Sequence, residues 1–390
     1  MSVEFDPYSY EVHEDPYPVY RRLRDEAPAY RNERLGFWAL SRHADVLAAF
    51  KEPLRFSSAG GVSLERSTQV DPSAVAFFIA MDPPRHDEFR NLVSKAFTPR
   101  RVAELEGRIL VLTGGYVDRF VAARRCDFIR DFAARLPMDV VSELLGVPAD
   151  DRDTLREWAD LVLHREEGMA EVPPAGIEAS GKLLGYFAEL VAARRRRPGE
   201  DLTSALCGAE LDGERLTDQH VMAFLFLMII AGNETTTKLL GNALYWLARN
   251  PEQRALVRAR PDLVPRWVEE TLRYDNSTQM LARTLTADTA LHGRTMRAGD
   301  KVLLLVGAAN RDERVFPDPD RYDLLRDHSE SLSFGKGTHF CLGASLARLE
   351  GRVALDAVLQ RFPDFEIDEA KLVRVHSANV RGYASMPITF

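Results

Sequence analysis

Apolar residues recur at three- and four-residue spacing over Pro18 to Glu26, Arg85 to Phe97, Arg101 to Ala123, Ala149 to His164, Ala175 to Arg197, Thr217 to Arg249 and Pro251 to Arg258, the period of an amphipathic helix. Shorter alternating or β-branched stretches lie at Ala29 to Trp38, Gln279 to Leu285, Lys301 to Gly307 and Ala384 to Phe390. They suffice for small sheets but not for a series of strand–helix–strand units. The pattern therefore predicts a mainly α protein with small β-sheets. No internal repeat and no Gly/Ser linker divides the chain, so residues 1–390 read as one large domain. The most apolar run, Val221 to Ala231, is too short to cross a bilayer and reads as a buried helix.

Thr217 is placed to cap a helix of roughly thirty residues, about 45 Å at the standard rise. The centre of that helix departs from a simple core helix. Phe224 to Ala231 is apolar almost all round, and Gly232, Asn233, Glu234 and three threonines, Thr235 to Thr237, follow. Glycine inside a helix costs about 1 kcal/mol relative to alanine, and a buried carboxylate must be paired or protonated. In one reading the Thr235 hydroxyl turns to the carbonyl near Ala231, the helix opens at Gly232 for a small ligand, and Glu234 is a proton source. In the other the helix is merely kinked, and Glu234 reaches solvent or an arginine.

The stretch Ser333 to Gly343 is punctuated by glycines, and Ala344 to Leu359 continues as a helix. Cys341 stands at the start of that helix, where backbone N–H groups and the positive dipole end favour a thiolate. The glycines allow close backbone approach to a flat object, and Phe334 and Phe340 offer it aromatic faces. One axial thiolate on haem iron suits that arrangement.

Composition excludes more than it selects. The 390 residues are 45% hydrophobic and 28% charged, ordinary globular chemistry, and 51 Lys and Arg against 59 Asp and Glu leave a net charge of −8. That balance argues against nucleic acid as a partner. Three cysteines, at 126, 207 and 341, are too few for a disulfide framework or a Cys-rich zinc site. The acidic, Pro-rich N-terminus has neither the basic nor the apolar region of a signal peptide, which predicts a cytoplasmic protein with no membrane segment. Arg194 to Arg197, followed by Pro198-Gly199, reads as a solvated helix end.

Phe334, Gly337, Cys341 and Gly343 match the FxxGxxxCxG loop of the cytochrome P450 haem-thiolate monooxygenases, and the chain resembles the bacterial, actinomycete-type members of that family. Ala231 to Thr236 resembles their [AG]Gx[DE]T[TS] oxygen-activation segment. Glu270-Thr271-Leu272-Arg273 matches ExxR, with Arg326 at the position that completes its buried ion network. Alone, Glu270 and Arg273 would be an ordinary helical ion pair; order and spacing give the set its meaning. His86 and Arg90 match HxxxR, and Arg283 matches the arginine that holds a haem propionate. The resemblance runs from about Asp15 to the C-terminus.

It implies the P450 fold, with haem b between the long central helix and the helix after the cysteine loop. Cys341 would ligate the iron, and His86, Arg90, Ala231, Gly232, Arg283, Phe334, Gly335, His339 and Gly343 would bind the cofactor. Reductive activation of O2 would insert one oxygen atom into a medium-sized hydrophobic substrate, by hydroxylation or epoxidation, with Thr235 and Glu234 supplying protons. An atypical oxidation on the same iron (aromatic coupling, desaturation or peroxygenation) is an alternative, and so is a non-catalytic ligand carrier, which the acid–threonine pair argues against. The pocket is expected to draw on Ser73 to Ile79, including Phe78 and Ile79; on Leu227, Ile230 and Ala231; on Thr278, Gln279, Met280 and Leu281; and on Val380 to Tyr383.

Electrons from NAD(P)H would come through a separate ferredoxin or flavodoxin and its reductase. The partner would be steered to Lys95, Arg100, Arg101, Lys336, Arg348 and Arg352, and the enzyme is expected to be a monomer. One departure stands out: Ser331 occupies the place where family members commonly carry a propionate-binding histidine. A hydroxyl there brings no positive charge, which shifts anchoring to His86, Arg90 and Arg283.

Overall fold

Helices form where the 3.6-residue period is clean: Tyr17–Glu26, Arg85–Ser94, Arg152–Leu163, Pro174–Arg196, Asp218–Ala248 and Pro251–Ala259. The computed structural model describes residues 3–64, 77–211 and 213–390. The helix expected over Arg101 to Ala123 is instead two, Pro99–Glu104 and Glu106–Val121. Thr98 caps the first by accepting from the Arg101 N–H, and the chain tightens at Leu105, whose N–H bonds Val102 and Ala103.

Among the helices outside those periodic stretches are His43–Lys51, Arg135–Leu145 and Val264–Tyr274. The second is disguised twice. A π-helical turn, Ile129–Ala133, precedes it and adds a residue to the period, and Pro137 interrupts it. Pro137 has no N–H for the carbonyl of Ala133; the Thr237 hydroxyl, on the central helix, donates to that carbonyl at 3.2 Å.

The stretch Ala29 to Trp38 is a hairpin, Ala29–Asn32 against Phe37–Leu40. A five-stranded sheet continues through Lys301–Leu304, Leu281–Leu285 and Phe56–Ser57, all antiparallel except Lys301–Leu304 beside Phe37–Leu40. After Leu305 the expected strand turns into a helical turn, Val306–Ala309. The C-terminal strand is split into Tyr383–Ser385 and Pro387–Thr389, which pair with different partners.

Asp218–Ala248 organises the rest. Thr217 caps it, accepting from the His220 N–H at 3.2 Å. The helix packs against Arg135–Leu145, Pro174–Arg196, Val264–Tyr274 and the Ala344–Arg361 helix. It is long and apolar enough to cross a membrane by composition, but 67% of its most apolar window is buried inside the molecule. It stays helical throughout, without the opening at Gly232 that the sequence suggested. One apolar cluster, reaching from Phe89 to Ile388, surrounds it.

Candidate active site between the central helix and the cysteine loop

A cavity of about 250 Å3 separates the central helix from the cysteine loop. Ala231, Gly232 and Thr235 line one wall; Phe334, Gly335, His339, Cys341 and Gly343 line the other. The Thr235 hydroxyl donates to the carbonyl of Ala231 at 2.8 Å, as its position in the helix predicted. A Cβ at Gly232 would meet Val141 at 3.6 Å, an ordinary contact, so no described protein atom demands glycine there. What the missing side chain leaves open is cavity.

The loop holds its shape through two glycines with positive φ, Gly335 at +67° and Gly337 at +69°. A Cβ at Gly337 would lie 2.5 Å from the Phe50 carbonyl, so the backbone there must approach closely. The Cys341 N–H donates to the Phe334 carbonyl at 2.9 Å. The helix begins at Ala344, as expected, so Cys341 just precedes its first turn, where the Gly343 N–H favours the thiolate. Burial pushes the Cys341 thiol up; the Gly343 N–H and the charges of Arg90 and Arg348 only partly offset this.

Arginines gather at the cavity without carboxylate partners among the described residues. Arg283 is 3% exposed, and its Nη1 donates only to the Ala282 carbonyl, at 2.8 Å. Burial pushes its guanidinium down to about 10. Arg90 lines the cavity, and burial lowers it too. The His339 ring packs 4.0 Å from that of His86. Burial and the neighbouring cations push His339 down to about 3, and the Nε2 atoms of both rings lack a hydrogen-bond partner among the described residues. His86 stands behind His339 rather than in the wall, with its Nδ1 on Asp87 at 2.9 Å.

Behind the loop, Glu270 is met on all sides. Arg273 grips it with two bonds of 2.7 and 2.8 Å, His328 Nε2 lies at 3.0 Å, the Asp323 N–H donates at 2.8 Å, and Arg326 Nε is at 3.6 Å. Arg273 also donates to the carbonyls of Asn310, Pro319 and Arg321. The Ser333 hydroxyl donates to the Leu272 carbonyl at 2.7 Å, and the Leu332 N–H donates to Asn310 Oδ1 at 2.8 Å, which ties the loop to this network. His328 carries no signal in the sequence, because nothing in its spacing links it to Glu270. Ser331 does not reach the cavity. Its hydroxyl pairs with that of Ser333 at 2.8 Å and faces an outer groove with Arg266, Lys336 and Arg348.

Glu234 is turned away as well. Residues 227, 231 and 235 stack at four-residue spacing on the cavity face, whereas Ile230, Glu234 and Lys238 form the adjacent ridge. Glu234 pairs with Lys238 at 2.9 Å and hydrogen-bonds Asp160. Burial pushes the Glu234 carboxyl up, but Lys238 and Asp160 outweigh it and hold it below the usual range. Burial and the charge of Glu234 push Asp160 up to about 8.

Of the expected pocket residues, Phe78, Ile79, Leu227, Ala231, Thr278 and Leu281 line the cavity. Residues 73–76 lie outside the described residues. Ile230 is on the wrong ridge, and Met280 packs into a separate cluster with Phe5 and Tyr20. The Gln279 amide donates to the Asn276 carbonyl at 2.6 Å. Val380 forms a backbone bridge with Thr278, and Tyr383 packs against Tyr245 and Arg374. Asn276, Ser277, Val141 and Glu350 line the cavity unanticipated. Burial pushes the Glu350 carboxyl up to about 8 against a hydrogen bond from Thr236.

The cytochrome P450 family model matches residues 183–375. Cytochrome P450 123 of Mycobacterium tuberculosis is 56% identical over 386 residues, 98% of this chain and 96% of that one. The chain belongs to the cytochrome P450 family. Vitamin D(3) 25-hydroxylase of Pseudonocardia autotrophica is 38% identical over 99% of this chain and 96% of its own length. Among solved structures, cytochrome P450 CYP109Q5 from Chondromyces apiculatus matches with a TM-score of 0.90 at 37% identity, covering 100% of this chain and 98% of that one. CYP109E1 from Bacillus megaterium in complex with testosterone matches with a TM-score of 0.91 at 30% identity, covering 98% and 99%. As a cytochrome P450 the protein is a monooxygenase, and the family implies haem iron and O2. The residues present fit haem: a thiol in one wall, the space left by the missing side chain of Gly232 in the other, Arg90 and Arg283 without carboxylate partners among the described residues to meet acidic groups, and beside them the His339 Nε2, which has no hydrogen-bond partner among the described residues.

Proposed function

We propose that Cys341 binds haem b iron as a thiolate, that Arg90, Arg283 and His339, backed by His86, hold the propionates, and that the enzyme hydroxylates or epoxidises a medium-sized hydrophobic substrate. The observation that carries this reading is the opposition of Cys341 and Thr235 across one cavity whose arginines, Arg90 and Arg283, have no carboxylate partner among the described residues. Haem iron, once bound, supplies O2 activation and transfer of one oxygen atom. Cys341 contributes electron density from its sulfur. The Thr235 hydroxyl orients water at the cavity wall, and Glu234, sharing a hydrogen bond with Asp160, replenishes the proton from the far side of the helix. The apolar walls at Phe78, Ile79 and Leu227 exclude water and hold the target carbon.

A separate ferredoxin or flavodoxin with its reductase delivers electrons from NAD(P)H, to one cytoplasmic, monomeric domain of residues 1–390. The groove behind the loop, with Arg266, Lys336 and the exposed Phe340, supports docking there. The expected basic patch is smaller than its residue count. Arg348 pairs with Glu269, Arg352 with Glu106, and Arg100 and Arg101 with Glu104, while Lys95 and Lys336 have no carboxylate partner among the described residues. The test is the carbon monoxide difference spectrum of the dithionite-reduced protein, then turnover with a surrogate ferredoxin and reductase. We expect a strongly red-shifted Soret band that Cys341→Ala abolishes; a variant that keeps the band overturns the ligand assignment.

A further inference from the structure

The segment between the Val264–Tyr274 helix and the Leu281–Leu285 strand passes the cavity without regular structure. Backbone carbonyls on such a segment need partners, and here each of four in succession has one. Asn242 Nδ2 donates to the Asp275 carbonyl at 2.9 Å and Gln279 Nε2 to that of Asn276 at 2.6 Å. The Arg381 N–H donates to the Ser277 carbonyl at 2.8 Å, and Asn276 Nδ2 to that of Thr278 at 2.6 Å. Each of these backbone acceptors is therefore already engaged, and the wall's wholly unpartnered groups lie in side chains.

Because Asn276 bonds a carbonyl, the atom it uses must be its NH2 group, which fixes the amide and leaves Oδ1 as a free acceptor. Asn276 is 1% exposed and lines the cavity beside Thr278, whose hydroxyl has no partner among the described residues. The Ser277 hydroxyl between them also lacks a partner among the described residues but is fully buried, and the rest of this region is apolar: Phe78, Ile79, Leu227 and Leu281. The corner thus pairs one acceptor with one hydroxyl that both donates and accepts. A hydrocarbon leaves both unmet, a ketone engages only Thr278, and a carboxylate presses acceptors against Asn276 Oδ1.

We infer that Asn276 and Thr278 recognise the hydroxyl of an alicyclic alcohol, its O–H donating to Asn276 Oδ1 and its oxygen accepting from Thr278 Oγ1. This rests on the haem-monooxygenase reading and adds the substrate class: an apolar alcohol oxidised at a carbon away from its hydroxyl.

The test titrates the haem-loaded full chain with 1-adamantanol, 2-adamantanone and adamantane, following the substrate-induced spin shift of the Soret band. We expect 1-adamantanol to give the high-spin shift of a ligand that displaces water, not the shift of an oxygen on iron. Thr278→Val, close in shape, should weaken the alcohol about fivefold, the share of one neutral hydrogen bond, and leave adamantane unchanged. Thr278→Ser should keep the alcohol's affinity, and Asn276→Leu should weaken the alcohol but not the ketone. Equal changes for alcohol and hydrocarbon, no change in Thr278→Val, an iron-bound alcohol, or a wild type that binds no alcohol would each overturn the inference. The carbon monoxide spectrum of the same preparation separates the two levels: without the thiolate-type band the family chemistry fails, whereas with it only the alcohol corner does.

Discussion

Glu270 and Glu234 are both buried carboxylates on neighbouring core helices, 0% and 3% exposed, yet their surroundings differ in kind. Glu270 faces two arginines, a histidine and a backbone N–H. Glu234 faces one lysine and a second carboxyl, Asp160. A carboxylate whose every lone pair meets a donor is a strut: it fixes the cysteine loop and gains nothing by taking up a proton. A carboxylate beside another carboxyl keeps a proton within reach, because burial makes two adjacent negative charges costly. One wall of the cavity is braced, and the other is kept ready to titrate.

The largest expected effect breaks the brace. Glu270→Ala leaves Arg273 buried without its partner, and loss of such a pair costs roughly 3–5 kcal/mol. We expect little folded, haem-binding protein, read by circular dichroism and haem incorporation; a stable, haem-loaded variant would deny Glu270 its role as a strut. Next, Glu234→Gln should fold and bind haem but lose about a hundredfold in turnover, the usual share of a positioned acid. Turnover within a factor of two of wild type removes Glu234 from the proton route. Thr235→Ala has a smaller consequence, raising the peroxide released per NAD(P)H consumed severalfold while substrate still binds; unchanged coupling takes Thr235 out of the chemistry.

The smallest effect separates the walls by pH. Glu270 is held below its usual range although burial pushes it up, because Arg273 and His328 prevail. Its contribution is present above the ordinary glutamate pKa and is lost as pH falls through the lower folded value. Glu350, pushed up to about 8, has the opposite sign. Its contribution is full below the unfolded pKa near 4 and is lost as pH rises toward 8. Glu350→Gln should therefore raise the melting temperature by a few degrees at pH 8 and leave it unchanged at pH 4. An equal shift at both values would refute the assignment.

Features written in local spacing are legible in the sequence. Thr235 reaches the Ala231 carbonyl because four residues make one helical turn, and the loop glycines adopt the positive φ that only they adopt easily. Side-chain direction is less legible: Ile230 and Glu234 fall off the cavity face by a fraction of a turn, and Met280 points to the opposite side of its segment from Leu281. Partners distant in sequence leave no signal at all. Asp160 meets Glu234, and His328 meets Glu270, only because separate helices and loops converge. The family resemblance supplies Arg283 and Arg90, which charge patterns alone would leave on the surface.

The wide turn at Ile129–Ala133 works as a register gauge. It holds one residue more than an α-turn, and everything C-terminal to it is rotated accordingly. Deleting a single residue there would let the chain relax into an ordinary helix and swing Arg135–Leu145 by about 100° about its axis. Pro137 and Val141 would leave the cavity wall, and the Ala133 carbonyl would turn from the Thr237 hydroxyl that now receives it. One inserted residue, far from Cys341 in sequence, thus sets which side chains the reaction chamber sees.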